Sequence, residues 1–189
     1  MDSGKDKEDQ AAGGNGTKHL AAVAILTAVT TVFTYIIRVP IAPTRGYINL
    51  GDVAIYFTAF TFGPLTALFA GGLGPAIADI LAGYSQWAPI TLGIHGLQGL
   101  LAGYLFRLLS RRRSESPSGK AAGYTLGGVA GTVVMTGFYF LAGGLMVGFG
   151  AALVEVPGNL IQNAVGLTGG IVLTAAVRKA YPPVERFSW

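Results

Sequence analysis

The chain has 189 residues, of which 51% are hydrophobic and 12% charged, with 29 glycines, no cysteine and a formal net charge of +4. Soluble domains carry about 25% charged residues, so this composition indicates an integral membrane protein. A spanning helix takes about 20 residues; five or six spans therefore use up the chain and exclude a soluble catalytic domain. The lack of cysteine excludes disulfides, thiolate metal ligands and cysteine nucleophiles.

The chain begins with a polar segment that precedes a first apolar span. Residues 1–17 mix both charges with Gly, Asn and Gln, which predicts a disordered cytoplasmic tail. The first span is predicted at residues 19–37 and is rich in alanine. Within it, Ala24 and Ala28 lie one helical turn apart and would let another helix approach closely in lipid, although an alanine-rich span contains such pairs by chance. The segment 39–50 holds two prolines and a glycine and is predicted to be a loop over the mouth of a pocket.

The rest of the chain predicts five further helices, and hence an all-α membrane bundle of six transmembrane helices. The predicted spans are 51–62, 64–82, 90–109, 121–147 and 151–176, so that residues 18–180 form the membrane domain and 181–189 a cytoplasmic tail. The second helix is too short for a straight crossing. With both termini in the cytoplasm, eleven Lys and Arg residues lie inside and only Arg38 and Arg45 outside, as the positive-inside rule requires.

A polar stripe marks the sixth span. Glu155, Asn159, Gln162 and Asn163 occur at i, i+4, i+7 and i+8, which places them on one face of a helix. Four hydrogen-bonding side chains on one face suit a neutral or weakly charged polar ligand. The alternative is hydrogen bonding between helices, worth about 0.6 kcal/mol per bond in membrane proteins.

Further polar residues lie within the other spans, where a buried charge is costly and normally faces a partner, a cavity or a substrate. Thr91, His95 and Gln98 share one face of the fourth span. A ligand contact or a bond between helices suits His95 better than a metal site, because no second His or Cys supports one. Asp79 could carry a coupling proton or be a structural partner, and Asp52 could bind ligand or complement the dipole at a helix start.

No sequence motif of a P-loop, a HExxH metal site or a GxSxG nucleophile is present. The sequence therefore predicts no catalytic residue, no metal site and no cofactor.

Several short motifs resemble the substrate-binding S components of energy-coupling factor (ECF) transporters, and most closely their riboflavin-type branch. These motifs are YINLGD at 47–52, FGP at 62–64, GGLGP at 71–75, AD at 78–79 and GYSQWAP at 83–89. The resemblance covers nearly all of residues 19–180. It implies a subunit of a prokaryotic plasma membrane that captures a vitamin at the outer face. It also implies docking on a transmembrane coupling protein and two ATPases, which carry out ATP hydrolysis.

The resemblance also implies roles for individual residues. Ala24 and Ala28 match the family's docking motif on the first helix. Asp79 and Gln98 are expected deeper than the ligand. Apart from the resemblance, structural or coupling roles are expected for Asp52, Asp79, Gln98 and Gln162. The expected substrate contacts are Asn49, Tyr84, Trp87, Thr91, His95, Glu155, Asn159 and Asn163.

Riboflavin is the first substrate expected, followed by a pyrimidine precursor of thiamin or by pantothenate. The rival hypothesis is a stand-alone secondary transporter that couples a small polar solute to protons through Asp79, His95 or Glu155.

Overall fold

A computed structural model describes residues 3–41, 46–112 and 116–187, with side chains at 16–41, 46–110, 116–184 and 187. The described chain is a bundle of six α-helices with one small hairpin. The helices are α1 (Ser3–Ile36), α2 (Gly51–Phe62), α3 (Pro64–Leu81), α4 (Ala88–Arg112), α5 (Pro117–Val147) and α6 (Phe149–Ala180). Strands β1 (Arg38–Ile41) and β2 (Gly46–Asn49) join α1 to α2, and a 3₁₀-helix (Pro182–Phe187) follows α6.

The helix boundaries lie within four residues of the predicted spans, apart from the start of α1. Helix α1 begins at Ser3 and includes residues 3–17, where the sequence analysis expects disorder. The Lys, Glu, Gln and Ala residues within 5–12 are good helix formers, and the helix continues through the glycines that follow into the first span. Residues Arg45 and Arg113, which the orientation argument counts, lie outside the described residues.

The loop predicted at 39–50 contains a hairpin. Strands β1 and β2 pair antiparallel, with Arg38 opposite Asn49 and Ile41 opposite Gly46. Pro40 has no N–H to donate to a neighbouring strand. It is accommodated in β1 because both strands of a two-stranded sheet are edge strands. The hairpin places Tyr47 and Asn49 beside the polar ends of the helices.

Helix α2 lies inside the bundle, surrounded by α1, α3, α4 and α6. Ten of its 12 residues are buried. At 1.5 Å per residue it is about 18 Å long, which is shorter than the roughly 30 Å hydrocarbon core of a bilayer. The other five helices contain stretches long and apolar enough to cross a membrane. The aromatic core forms on α2, where Tyr56 and Phe60 pack against Phe106 of α4.

Glycines allow the helices around α2 to approach closely. A Cβ atom on Gly170 of α6 would lie 2.6 Å from Cβ of Tyr56, and one on Gly166 would overlap the Cβ of Asp52. Between α3 and α4, a Cβ on Gly99 would lie 2.7 Å from the carbonyl oxygen of Ala67. This close packing holds the polar faces of α2, α4 and α6 together below the hairpin.

Candidate ligand-binding site

A cavity of about 500 Å³, including its open mouth, lies between the hairpin and helices α1, α3, α4, α5 and α6. The lining residues are Thr34, Ile41, Gly46, Tyr47, Asn49, Pro75, Asp79, Trp87, Thr91, His95, Met135, Tyr139, Glu155, Asn159 and Gln162. Polar groups from β2 and from helices α1, α3, α4, α5 and α6 thus meet in one space.

Asp79 on α3 connects the cavity to the hairpin. The hydroxyl of Tyr47 donates a hydrogen bond to its Oδ1 at 2.6 Å, whereas its Oδ2 is buried and has no hydrogen-bond partner among the described residues. Burial, together with the adjacent Asp79 carboxylate, raises the pKa of Tyr47 well above its usual value, so this phenol stays a donor. An acceptor without a partner in a cavity is costly unless a ligand or water supplies a donor.

An aromatic wall forms another part of the cavity lining. The rings of Trp87 and Tyr139 lie 6.0 Å apart between centroids, and the rings of His95 and Tyr139 lie 5.6 Å apart. A hydrogen bond of 2.8 Å between the hydroxyls of Thr91 and Tyr139 holds the tyrosine in place. Tilted rings at these separations form a surface that suits a planar aromatic ligand.

The carboxylate of Asp52 organises a buried network below the cavity. Its Oδ1 accepts a hydrogen bond from Nε2 of Gln98 at 2.8 Å, and its Oδ2 accepts one from Nε2 of Gln162 at 2.7 Å. The Oε1 of Gln162 accepts from the backbone N–H of Asn49 at 2.8 Å, so the network also holds the hairpin. On the other side, Nδ1 of His95 lies 2.7 Å from Oε1 of Gln98 and 3.6 Å from Oδ1 of Asp52.

Asn163 of α6 is fully buried beneath this network. Its Oδ1 accepts hydrogen bonds from the hydroxyl of Tyr56 at 2.9 Å and from Nε2 of Gln98 at 3.0 Å. Its Nδ2 donates to the backbone carbonyl of Asn159 at 3.0 Å and to Sδ of Met135 at 3.1 Å. Both ends of the amide are therefore occupied within the protein.

Six of the eight expected substrate contacts line the cavity: Asn49, Trp87, Thr91, His95, Glu155 and Asn159. The other two do not. Tyr84 packs against the ring of Tyr47, 5.0 Å between centroids, and lines a second, more open cavity with Arg38. Asn163 lies below the site, where its hydrogen bonds are to other protein groups.

The four residues expected in structural or coupling roles divide into two pairs. Asp79 and Gln162 line the cavity, which places Asp79 nearer the ligand space than the sequence analysis expects. Gln98 and Asp52 lie beneath it and are fully buried. Asp52 does occupy the first turn of α2, but the side chain that accepts a hydrogen bond at the helix start, from the backbone N–H of Gly51, is Asn49.

The sequence analysis does not anticipate part of the lining. Tyr139 and Met135 come from α5, where Thr132, Thr136 and Tyr139 recur at i, i+4 and i+7, a stripe of hydroxyls that the sequence analysis does not use. Tyr47 stands within the YINLGD motif, yet its contact with Asp79 depends on the hairpin. Four further lining residues were not singled out, and these are Thr34, Ile41, Gly46 and Pro75.

The charge of the lining is one-sided. Asp79 and Glu155 contribute carboxylates, and the described lining contains no Lys or Arg. Among the described residues no group of three or more His, Asp or Glu side chains could hold a metal ion. The site is therefore rich in acceptors and favours a ligand that brings hydrogen-bond donors or positive charge.

Comparisons with known proteins agree with this architecture. A family model described as the S component of ECF-type riboflavin transporters matches residues 14–179. An uncharacterized protein from Pyrococcus woesei is 34% identical over 154 residues, which cover 82% of this chain and 97% of the relative. The thiamine precursor transporter HmpT of Lactococcus lactis subsp. cremoris is 35% identical over 163 residues, covering 86% of this chain and 89% of HmpT.

One solved structure, from a study of the structure and mechanism of the S component of a bacterial ECF transporter, has the same fold. It superimposes with a TM-score of 0.61 at 20% sequence identity, covering 90% of this chain and 99% of the other.

Proposed function

The chain belongs to the family of S components of ECF-type riboflavin transporters, which are membrane-embedded, substrate-binding subunits and not enzymes, and we propose that its own substrate is a pyrimidine precursor of thiamin. The observation that carries this choice is the buried Oδ2 of Asp79, an acceptor without a partner among the described residues, in a cavity that contains a second carboxylate. The pyrimidine of thiamin bears an amino group, whose N–H bonds match such an acceptor.

The shape of the cavity supports the same substrate class. A planar pyrimidine can lie against the rings of Trp87 and Tyr139 while its polar edge faces Asp79, and the remaining polar lining can accept a hydroxymethyl group. The similarity to HmpT, whose name states a thiamine precursor as cargo, points in the same direction.

Riboflavin, the first substrate expected from the sequence, remains the second candidate because the matching family model carries its name. The aromatic wall suits its ring system as well. Pantothenate fits less well than either, since its carboxylate would face Asp79 and Glu155 with no Lys or Arg in the described lining to neutralise it. Like charges in a site of low dielectric repel strongly.

The transport role rests on an energy-coupling module of one transmembrane coupling protein and two ATPases. In the proposed topology all six helices lie in a prokaryotic plasma membrane with both termini in the cytoplasm. Ala24 and Ala28 are exposed on α1, and little of the apolar stretch of α1 is buried within the bundle. Small residues on an exposed helix face allow close approach of a partner helix. We assign this face to the coupling protein.

The rival hypothesis of proton-coupled secondary transport makes a different prediction about energy. Uptake by an S component requires ATP hydrolysis by its partners and should continue in the presence of a protonophore as long as ATP is maintained. Uptake by vesicles that contain this chain alone, and its collapse with protonophore, would establish the rival.

Substrate identity can be tested on purified protein. One sample of the protein is denatured, and the small molecules that it releases are identified by absorption and mass spectrometry. A second, folded sample freed of ligand is titrated calorimetrically with the aminopyrimidine, riboflavin and pantothenate. We expect the aminopyrimidine to bind most tightly. A stoichiometric yellow flavin, or tighter binding of riboflavin, would refute the choice of substrate and leave the family assignment intact.

A further inference from the structure

We propose that a directional chain of hydrogen bonds sets the position of the proton on His95 and thereby makes its Nε2 a hydrogen-bond acceptor for the ligand. His95 is buried at 3% exposure, lines the cavity, and has no hydrogen bond from Nε2 to any described residue. Its other nitrogen, Nδ1, is engaged by Gln98. The part of this inference that concerns the ligand rests on the proposed function, whereas the part that concerns the proton does not.

The chain of hydrogen bonds begins at a group that can act only as an acceptor. The backbone carbonyl oxygen of Asn159 can only accept a hydrogen bond, so the group 3.0 Å away on Asn163 must be the amide NH₂. The oxygen of that amide therefore faces Gln98.

The orientation of Asn163 determines that of Gln98. Because Oδ1 of Asn163 is an acceptor, the group of Gln98 that lies 3.0 Å from it must be the NH₂. The same NH₂ donates to Oδ1 of Asp52 at 2.8 Å. The reversed orientation would place two oxygens against each other at Asn163, whatever the protonation state of Asp52.

The orientation of Gln98 then determines the proton on His95. Oε1 of Gln98 can only accept, and it lies 2.7 Å from Nδ1, so Nδ1 must carry a hydrogen. In the neutral ring the lone pair is consequently on Nε2. The other groups near the ring are the Asp52 carboxylate at 3.6 Å from Nδ1, the ring of Tyr139, and the carboxyl group of Asp79, which interacts electrostatically with His95.

This arrangement extends the acceptor character of the site. Oδ2 of Asp79 and Nε2 of His95 both lack a donor among the described residues, and both residues line the same cavity. A ligand edge that carries N–H or O–H donors would satisfy them, whereas an edge that carries carbonyl oxygens would leave both unsatisfied. Gln98, Asn163 and the backbone of Asn159 act as positioning groups, since they act on the ligand only through His95.

Nitrogen NMR of histidine can test the chain directly, because the protein contains only two histidines. Protein labelled with ¹⁵N-histidine and carrying His19→Gln reports on His95 alone. For the ligand-free protein at neutral pH we expect a protonated-type resonance for Nδ1 and an unprotonated-type resonance for Nε2. A hydrogen on Nε2 in place of Nδ1, or on both nitrogens, would overturn the proposal.

Two variants test whether the chain is the cause. Gln98→Leu removes the acceptor of Nδ1 and should mix the two tautomers. Gln162→Leu is the matched control, because it removes the other amide bound to Asp52 without touching His95, and it should leave the tautomer unchanged. Equal spectra for both variants would refute the chain. The parent spectrum decides the position of the proton even where Gln98→Leu fails to fold.

Addition of ligand separates this inference from the proposed function. The aminopyrimidine should shift the Nε2 resonance of His95, and its analogue with a carbonyl in place of the amino group should bind roughly 10- to 100-fold more weakly. If the parent tautomer is as proposed but no candidate ligand shifts the Nε2 resonance, the hydrogen-bond chain is supported and the assigned substrate is wrong. If the aminopyrimidine binds tightly to protein with a hydrogen on Nε2, the substrate stands and the chain is wrong.

Discussion

The substitution Asp79→Asn tests the proposed site with a change of almost no volume. Since Tyr47 donates to Oδ1, the oxygen of the new amide should stay at that position, and its NH₂ should replace Oδ2. The variant thus turns one acceptor of the cavity into a donor and removes one charge. Because the shape of the site is kept, any loss of affinity reports on hydrogen bonding.

The size of the loss follows from the bond that is removed. A hydrogen bond to a charged group contributes about 1.5–3 kcal/mol, and about 1.4 kcal/mol corresponds to a tenfold change in the equilibrium constant. The Kd of the aminopyrimidine should therefore rise roughly 10- to 150-fold. Riboflavin, if it binds, should be affected according to whether one of its donors meets the same atom.

A two-by-two experiment gives the sharpest measurement. The parent protein and Asp79→Asn are each titrated calorimetrically with the aminopyrimidine and with an analogue that has hydrogen in place of the amino group. The analogue should bind both proteins with similar affinity, because it has no amino group to donate a hydrogen bond to the carboxylate. Equal losses for both ligands would mean general damage to the site, and an unchanged Kd for the aminopyrimidine would refute the assignment of Asp79 as a contact.

Three further changes test the hairpin, the docking face and the helix packing. Tyr47→Phe removes the bond between the hairpin and Asp79 and should speed ligand dissociation about 2- to 10-fold in a displacement assay; unchanged dissociation would mean that the hairpin does not retain the ligand. Ala28→Trp should abolish uptake in cells that hold the coupling module, while the Kd stays within about twofold. Ala164→Trp, at another exposed alanine on α6, is the control and should leave uptake intact. Loss of ligand binding by Ala28→Trp would contradict a docking role. Gly170→Ala should destabilise the protein by about 1–3 kcal/mol and lower its melting temperature in detergent. Gly137→Ala, whose Cβ would meet nothing within 4 Å, should leave the melting temperature unchanged. Equal melting temperatures for the two variants would show that α2 and α6 can separate at little cost.

Much of the fold is predictable because the bilayer imposes a simple pattern. Long apolar stretches interrupted by Gly-Pro or basic residues give the helices α3 to α6 almost at their observed ends. The hairpin is not predictable in this way, since Pro40 argues against a strand and each paired strand has only four residues. The helical start of α1 is missed because charged residues that favour disorder are also good helix formers.

The site is predictable where a helix carries a polar stripe. Glu155, Asn159 and Gln162 repeat at helical spacing and do line the cavity. Asn163 belongs to the same stripe but faces α4 and α5, since a stripe spreads over a wide arc and its edge points at neighbouring helices. Tyr139 gives a weaker signal: it follows Thr132 and Thr136 at helical spacing, but hydroxyls in an apolar span can bond to their own helix, as Thr132 does to the carbonyl of Gly128.

The short central helix has a consequence for how the protein is made. An α2 segment of 12 residues with Asp52 in its first turn is a poor substrate for a translocon, which recognises long apolar segments one at a time. We therefore expect α2 to enter the bilayer together with α3, as one hairpin of helices joined at Gly63. Its surroundings are complete only when α6, which leaves the ribosome after α1 to α5, packs against it. Assembly of the binding site is then a late step of biogenesis. Truncation before α6 should leave Asp52 in an incompletely folded membrane protein that quality-control proteases can recognise.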